Sequence, residues 1–298
     1  MYQLALTAAQ ILTMLIAPGL FIGWIKSWKA LLQGRKGPGM LQPIKDAMKW
    51  MRKDAVISHD ASWLTTASPY LVFGLALLAG LMLPIVTAAA PLAFAGDLIL
   101  LVYVFAAMRF LTVLAALDAG ANFGGMGASR ELAISAVVEP AFLLSLLPVM
   151  IQAGSAGLQV IAQQDGTFGI ARLLAAIAFL LALVAETGRV PVDNPDTHLE
   201  LTMVHEGMVL EFSGRYLGLM NMAAWGKQWL LAVLGAYVMF PPFGLPLWIE
   251  IAVKTAVIGI ILAVIETFNA KMRVYRIPRY AGISVFLSLI ALLVQFPV

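Results

Sequence analysis

Six carboxylates and two histidines are gathered in one short stretch of this chain, AETGRVPVDNPDTHLELTMVHEGMVLEFSGR, from Ala185 to Arg215. They are Glu186, Asp193, Asp196, Glu200, Glu206 and Glu211, with His198 and His205. The stretch has two basic residues, Arg189 and Arg215, near its two ends, and it lies between two long apolar segments. Loops at that place in a membrane protein ordinarily carry an excess of Lys and Arg. Carboxylates at a membrane edge have pKa values that respond to burial and to neighbouring charge, so they are suited to holding, passing or sensing protons. The two histidines lie two helical turns apart, a spacing that fits a metal pair but is too weak a signal to assign a metal site.

A second set of ionisable residues falls inside the apolar segments themselves. These are Arg109, Asp118, Glu139, Glu186, Lys227, Glu250, Lys254 and Glu266. A charge at mid-membrane costs about 2.5–3.5 kcal/mol on insertion scales, so each is a functional candidate by default. Asp118 and Glu266 lie near segment ends and are expected to snorkel, and Glu250 and Lys254 are spaced to pair. Glu139 stands apart because Pro140 follows it and Pro148 comes later in the same segment. Proline removes a backbone donor and frees a carbonyl, so a kinked helix is expected beside an ionisable group. That combination suits a proton path; the other reading is a structural partner for Arg109 or Lys227.

The elements that position these groups follow from composition. Of 298 residues, 61% are hydrophobic and 12% charged, with a mean hydropathy of +0.91. A soluble domain is nearer half apolar and a quarter charged. The chain reads as an all-α, polytopic membrane protein forming one membrane domain over residues 1–298. About eight transmembrane helices are expected, at 4–25, 68–87, 97–118, 131–154, 168–187, 217–240, 247–268 and 279–297. The first Lys is Lys26, so the first segment reads as a retained span rather than a leader. There is no cysteine, which excludes disulfides and cysteine-ligated nickel–iron or iron–sulfur centres within the chain. None of the three histidines lies deep in an apolar run, which argues against a membrane haem. The net charge of +3 implies no nucleic acid.

The loops alternate in charge. Loop 26–67 carries Lys26, Lys29, Arg35, Lys36, Lys45, Lys49, Arg52 and Lys53, and the seventh carries Lys271, Arg273, Arg276 and Arg279, whereas the second, fourth and sixth carry no basic residue. The odd-numbered loops are therefore expected in the cytoplasm and both termini outside. Within loop 26–67, Ile44, Ala47, Met48 and Met51 recur at helical spacing against Lys45, Asp46, Lys49 and Lys53, which predicts a basic amphipathic helix in the interface plane. Loop 188–216 is the acidic counterpart, and Asn194-Pro195 there reads as a helix start. Gly124-Gly125-Met126-Gly127 lacks the strand and the Lys-Ser/Thr of a phosphate loop, and is expected to be a tight turn after which Ser129 caps the fourth span.

The wording of two loops resembles a known family. AETGRVPVDNPDTHLELTMVHEGMVLEFSG is similar to the signature of the NuoH-type family, the quinone-site membrane subunit of respiratory complex I. QGRKGPG followed by LQPIKDAMK is similar to another motif of that family, and the resemblance runs over essentially the whole chain. Val192, His198 and three extra residues before the FSG triplet depart from the complex I form. ASRE (Ala128 to Glu131), VEP (Val138 to Pro140), Lys227-Gln228 and ETFNAKMR (Glu266 to Arg273) resemble the branch found in membrane-bound nickel–iron hydrogenases and the formate hydrogenlyase membrane arm.

The resemblance implies a non-catalytic subunit of an oxidoreductase complex in the cell inner membrane. Such a subunit anchors hydrogenase large and small subunits on the cytoplasmic face and joins them to antiporter-like membrane subunits. It carries no cofactor of its own; the nickel–iron and iron–sulfur centres belong to partners, and in this branch the terminal acceptor is a proton, so no quinone is implied. Carried over position by position, the implied proton-coupling residues are Glu139, Glu186, Asp193, Asp196, Glu200 and Glu211. Glu206, Lys227 and Glu266 join that set as ionisable neighbours. Arg35, Lys36 and Arg189 match positions near the redox arm, and Arg215, His198 and His205 are grouped with them as docking candidates. Three alternatives stay open: a complex I subunit lining a quinone site, a stand-alone ion transporter, and a passive membrane anchor.

Overall fold

A computed structural model describes residues 2–59, 61–164, 169–194 and 203–295. Among the described residues there are eleven α-helices, two short 3-10 turns and no strand; the protein is an all-α membrane protein. The long helices are α1 (Tyr2–Leu32), α3 (Trp63–Met82), α4 (Leu98–Asp118), α5 (Asn122–Ala153), α7 (Ile170–Glu186), α9 (Gly214–Met239), α10 (Leu247–Phe268) and α11 (Ile277–Gln295). The short ones are α2 (Gln42–Met51), α6 (Leu158–Ala162) and α8 (His205–Val209). Each of the eight expected spans thus coincides with a long helix. Helices α1, α3, α4, α5, α10 and α11 are long and apolar enough to cross a membrane. Helix α7 has 17 residues, and α9 carries Lys227 and Gln228 at its middle.

Helix α9 is the hub. It packs against α1, α2, α3, α7 and α10, and the run Leu230 to Leu234 is fully buried. Around it, α4 lies between α3 and α5, and α11 closes the bundle against α5 and α7. In lipid there is little hydrophobic drive between helices, so close packing and polar cross-links carry the association. The Gln10 amide donates to the carbonyls of Gly80 and Leu83, tying α1 to the end of α3, and the Trp24 indole donates to Ala256 on α10. Arg172, a buried charge that the sequence reading did not single out, donates to the carbonyls of Tyr237, Val238 and Phe240. It caps the C-terminus of α9, whose last carbonyls have no partner within their own helix.

The expected amphipathic segment is α2, with Pro43 and Ala47 buried and Lys45, Lys49, Met48 and Met51 exposed. It lies directly on α1. A Cβ on Gly23 would come within 2.0 Å of the Met40 carbonyl oxygen, and one on Gly19 within 2.7 Å of Ile44. These two glycines, one helical turn apart, are what let α2 approach so closely. The strand of chain after α2 is held from the other side, where Ser213 Oγ accepts from the Val56 amide at 2.7 Å and donates to the Val56 carbonyl at 2.9 Å.

Two expectations need correction. Gly124 to Gly127 is no turn: α5 starts at Asn122 and runs through this segment, and Ser129 bonds back to the Met126 carbonyl inside the helix. The glycines serve packing, since a Cβ on Gly127 would meet the Val204 carbonyl oxygen at 2.8 Å and the Met208 amide at 3.1 Å, at α8. Asp118 does not snorkel. It accepts from the Ser62 and Thr65 amides and the Thr65 hydroxyl, fixing the start of α3.

Substituting Gly23→Ala should therefore lower the thermal unfolding midpoint of the purified protein by several degrees, because overpacking against backbone costs about 1–3 kcal/mol. Gly74→Ala, where a Cβ meets nothing within 4 Å, should leave the midpoint unchanged or slightly raised.

Candidate functional site

Four helices, α4, α5, α7 and α9, converge on a set of charges at the loop-188 end of the bundle. Arg109, from the buried face of α4, is the junction. Its Nη1 donates to Glu139 and its Nη2 to Glu186, and its Nε lies 3.1 Å from Glu131. Glu131 and Glu139 come from α5, and Glu186 is the last residue of α7. Lys227, in the middle of α9, approaches Glu186 at 2.8 Å. One guanidinium thus serves three carboxylates, and Glu186 is shared by two cations.

A second network adjoins the first. Glu266, near the end of α10, is buried and accepts from Arg189, with Lys29 of α1 at 3.2 Å. Beyond it, Lys271 binds Asp193 at 2.5 Å, and the Met272 amide donates to the Pro191 carbonyl at 2.8 Å. These contacts fasten the start of the acidic loop to the chain that leaves α10. Across the two networks five carboxylates, Glu131, Glu139, Glu186, Asp193 and Glu266, face five cations, Lys29, Arg109, Arg189, Lys227 and Lys271. Pairing of this kind is what makes ionised groups tolerable away from water.

Both networks open onto one cavity of about 450 Å³. Its lining includes Lys29, Arg109, Glu131, Glu186, Arg189, Lys227 and Glu266 from the networks, with Lys26, His205, Glu206 and Gln228. Not every polar atom there is used: Glu186 Oε2 and the Gln228 amide nitrogen are buried without a hydrogen-bond partner. Glu139 is placed differently. It does not line this cavity, and its side chain is 35% exposed against 3% for Glu186. The ion-pair chain Lys227–Glu186–Arg109–Glu139 therefore runs from the cavity to the flank of α5. Chemically it is a chain of ion pairs in mutual contact, in which a change of charge on one member alters the pairing of the next; Arg109, always protonated, can change partners but passes no proton itself.

The expected site residues sort into three groups. Glu139, Glu186, Lys227, Glu266, Arg189 and Asp193 are in the two networks, and His205 and Glu206 are on the cavity wall. Arg35, Lys36, Glu211 and Arg215 are exposed and lie outside the cavity, with Arg215 over the Tyr216 ring. Asp196, Glu200 and His198 lie outside the described residues. Arg189, grouped with the docking residues on sequence, is buried against Glu266 and offers no free charge for docking. Glu266 does not snorkel for the same reason. Glu139 takes Arg109 as its partner and not Lys227, and Glu250 pairs with Lys254 as its spacing foretold. Glu131, Lys29 and Lys271 were missed. In sequence Glu131 falls at the expected start of the fourth span and Lys29 and Lys271 in basic loops, where charge is ordinary and carries no signal.

A family model described as NADH dehydrogenase matches residues 5–296. The chain is 33% identical over 296 residues to formate hydrogenlyase subunit 4 of Escherichia coli strain K12, covering 93% of this chain and 94% of that one. It is 33% identical over 249 residues to hydrogenase-4 component C of the same organism, covering 82% and 77%. Among solved structures, a chain of the membrane-bound sulfane sulfur reductase, an archaeal respiratory membrane complex, superposes with a TM-score of 0.87. That match covers 99% of this chain and 100% of the other at 23% identity, and it speaks for the fold.

Removing the shared cation should be far worse than removing one carboxylate. Arg109→Ala leaves three acids in mutual repulsion and should cost on the order of 3–5 kcal/mol, read as lost accumulation in the membrane or a lowered thermal midpoint. Combining it with Glu186→Gln should recover part of that loss.

Proposed function

Since the chain belongs to the NADH dehydrogenase family, we propose that it is the membrane-anchoring and energy-coupling subunit of a membrane-bound hydrogenase complex. The names of its 33%-identical relatives support the hydrogenase setting. The observation that carries the coupling role is the ion-pair chain from the charged cavity to Glu139 on the flank of α5.

In this reading eight helices span the inner membrane, with both termini outside and the 26–67 and 188–216 loops in the cytoplasm. Hydrogenase large and small subunits dock there, using Arg35, Lys36 and Arg215 and the acidic loop. The nickel–iron and iron–sulfur centres lie in those partners. An antiporter-like subunit covers the flank of α5, where a partly exposed carboxylate on a spanning helix calls for a polar neighbour. No quinone takes part in this reading, which is supported by the cavity's charged lining being largely paired with itself.

Coupling then works by electrostatics. A charge change in the docked arm alters the field at the cavity mouth, near His205 and Glu206. Glu186 holds contacts with both Lys227 and Arg109, so its protonation weakens both and releases Arg109 toward Glu139 and Glu131. Each redox state of the arm thereby favours a different arrangement of the same charges, which is the differential interaction that any such switch requires.

Glu139→Gln in the purified complex, reconstituted in liposomes, should keep hydrogen production within about two-fold while proton movement falls by tenfold or more. Full coupling in that variant would defeat the coupling role. NADH oxidation by a quinone-containing complex would favour the complex I reading, and ion flux by the isolated chain would favour a transporter.

A further inference from the structure

A second cavity, of about 400 Å³, lies where α2 packs on α1 and α9, with Phe73 of α3 completing its wall, and its character is opposite to the first. Met14 and Pro18 of α1, Ile44 and Met48 of α2, Phe73 of α3 and Met222 of α9 make its walls. Methionine-rich walls adapt to an irregular apolar guest. On the α2 side Met48 and Met51 are 51% and 47% exposed, so the apolar lining is continuous with the surface of the interfacial helix. One charge borders the cavity, Arg52, the residue that ends α2, and it is exposed. Lys45, Lys49 and Lys53 are exposed along the same helix and just after it.

The cavity and its rim describe the guest. An apolar slot in contact with an interfacial helix takes an alkyl chain, and a guanidinium at its edge takes an anion, most strongly a phosphate held bidentately. A basic amphipathic helix is itself drawn to anionic lipid. A neutral ring headgroup would need several converging donors and acceptors, and apart from Arg52 the lining offers only the Trp225 indole. We propose that this cavity binds one acyl chain of an anionic phospholipid whose phosphate rests on Arg52, so that α2 grips a specific lipid.

The placement gives that lipid a structural consequence. Trp225 lines both cavities, and its ring packs on Trp50 of α2 with centroids 5.9 Å apart. An acyl chain in the apolar cavity would rest against Trp225 of this pair. The lipid thus helps keep α2 in place as the lid between lipid and the Lys227–Glu186 region.

The test uses the full-length protein in detergent, titrated with phospholipid brominated in its acyl chains, which quenches nearby tryptophans. The contribution of Trp225 is the difference between the parent and Trp225→Phe. Brominated phosphatidylglycerol should quench the Trp225 component at least two-fold more than brominated phosphatidylcholine at equal concentration. Arg52→Gln, an exposed change that should fold normally, should abolish that preference and lower the phosphatidylglycerol retained through purification several-fold by mass spectrometry. Absence of Trp225 quenching, equal quenching by both headgroups with no effect of Arg52→Gln, or stoichiometric co-purification of an isoprenoid quinone that Arg52→Gln leaves in place would each overturn the proposal.

Discussion

Everything at the loop end of this bundle depends on Arg109 having three acids to satisfy. Its guanidinium offers five N–H donors in a planar fork, and α4 places it where α5 and α7 each present carboxylates. Neither side is tolerable alone, because an unpaired charge in this setting costs several kcal/mol. Helices α4, α5 and α7 are therefore locked in relative height by the charge, and Lys227 extends the lock to α9. Two cations meet on Glu186 and three acids around Arg109, the arrangement on which the proposed coupling role rests.

The same arrangement explains why the acidic loop is not simply an acidic surface. Its first residues fold inward, with Arg189 against Glu266 and Asp193 against Lys271, so the loop is stapled to α10 before it reaches the surface. The exposed acids and bases, Glu211 and Arg215 among them, come later in the chain. A docked partner would meet a surface whose root is the buried network.

The fold was legible from the sequence because apolar runs of the required length have few alternatives in a membrane. All eight segments are helical, and the amphipathic pattern at Ile44, Ala47, Met48 and Met51 marked α2. Boundaries failed where polar and small residues continue a helix: α5 begins nine residues before its expected start, because Gly124 and Gly127 are packing glycines, and spacing alone cannot separate those from turn glycines. Site residues inside apolar runs were legible for the converse reason, since charge there is anomalous. Glu139, Glu186 and Lys227 stood out; Glu131 and Lys29 did not, because at a helix start or in a basic loop their types are ordinary. The burial of Arg189 depends on α10 bringing Glu266 beside it across 77 residues of chain, a contact that local pattern does not encode.

The route of the charge chain also follows from what α9 lacks. After Gln228 the helix continues Trp229 to Ala236 with no ionisable side chain, and Leu230 through Ala232 are 0% exposed. Polar groups resume at Tyr237, with Glu250, Lys254 and Arg172 toward that end of the bundle. At about 1.5 Å rise per residue, the ten residues from Lys227 to Tyr237 span roughly 15 Å of close-packed apolar helix. A proton reaching Lys227 and Glu186 has no titratable group along α9 to continue straight across. The contacts that do leave Glu186 turn sideways, through Arg109 to Glu139 and the flank of α5. Under the proposed coupling role, a charge shift at Glu186 would be directed laterally, because the ionisable side chains cluster around Arg109 and are absent from Trp229 to Ala236 of α9.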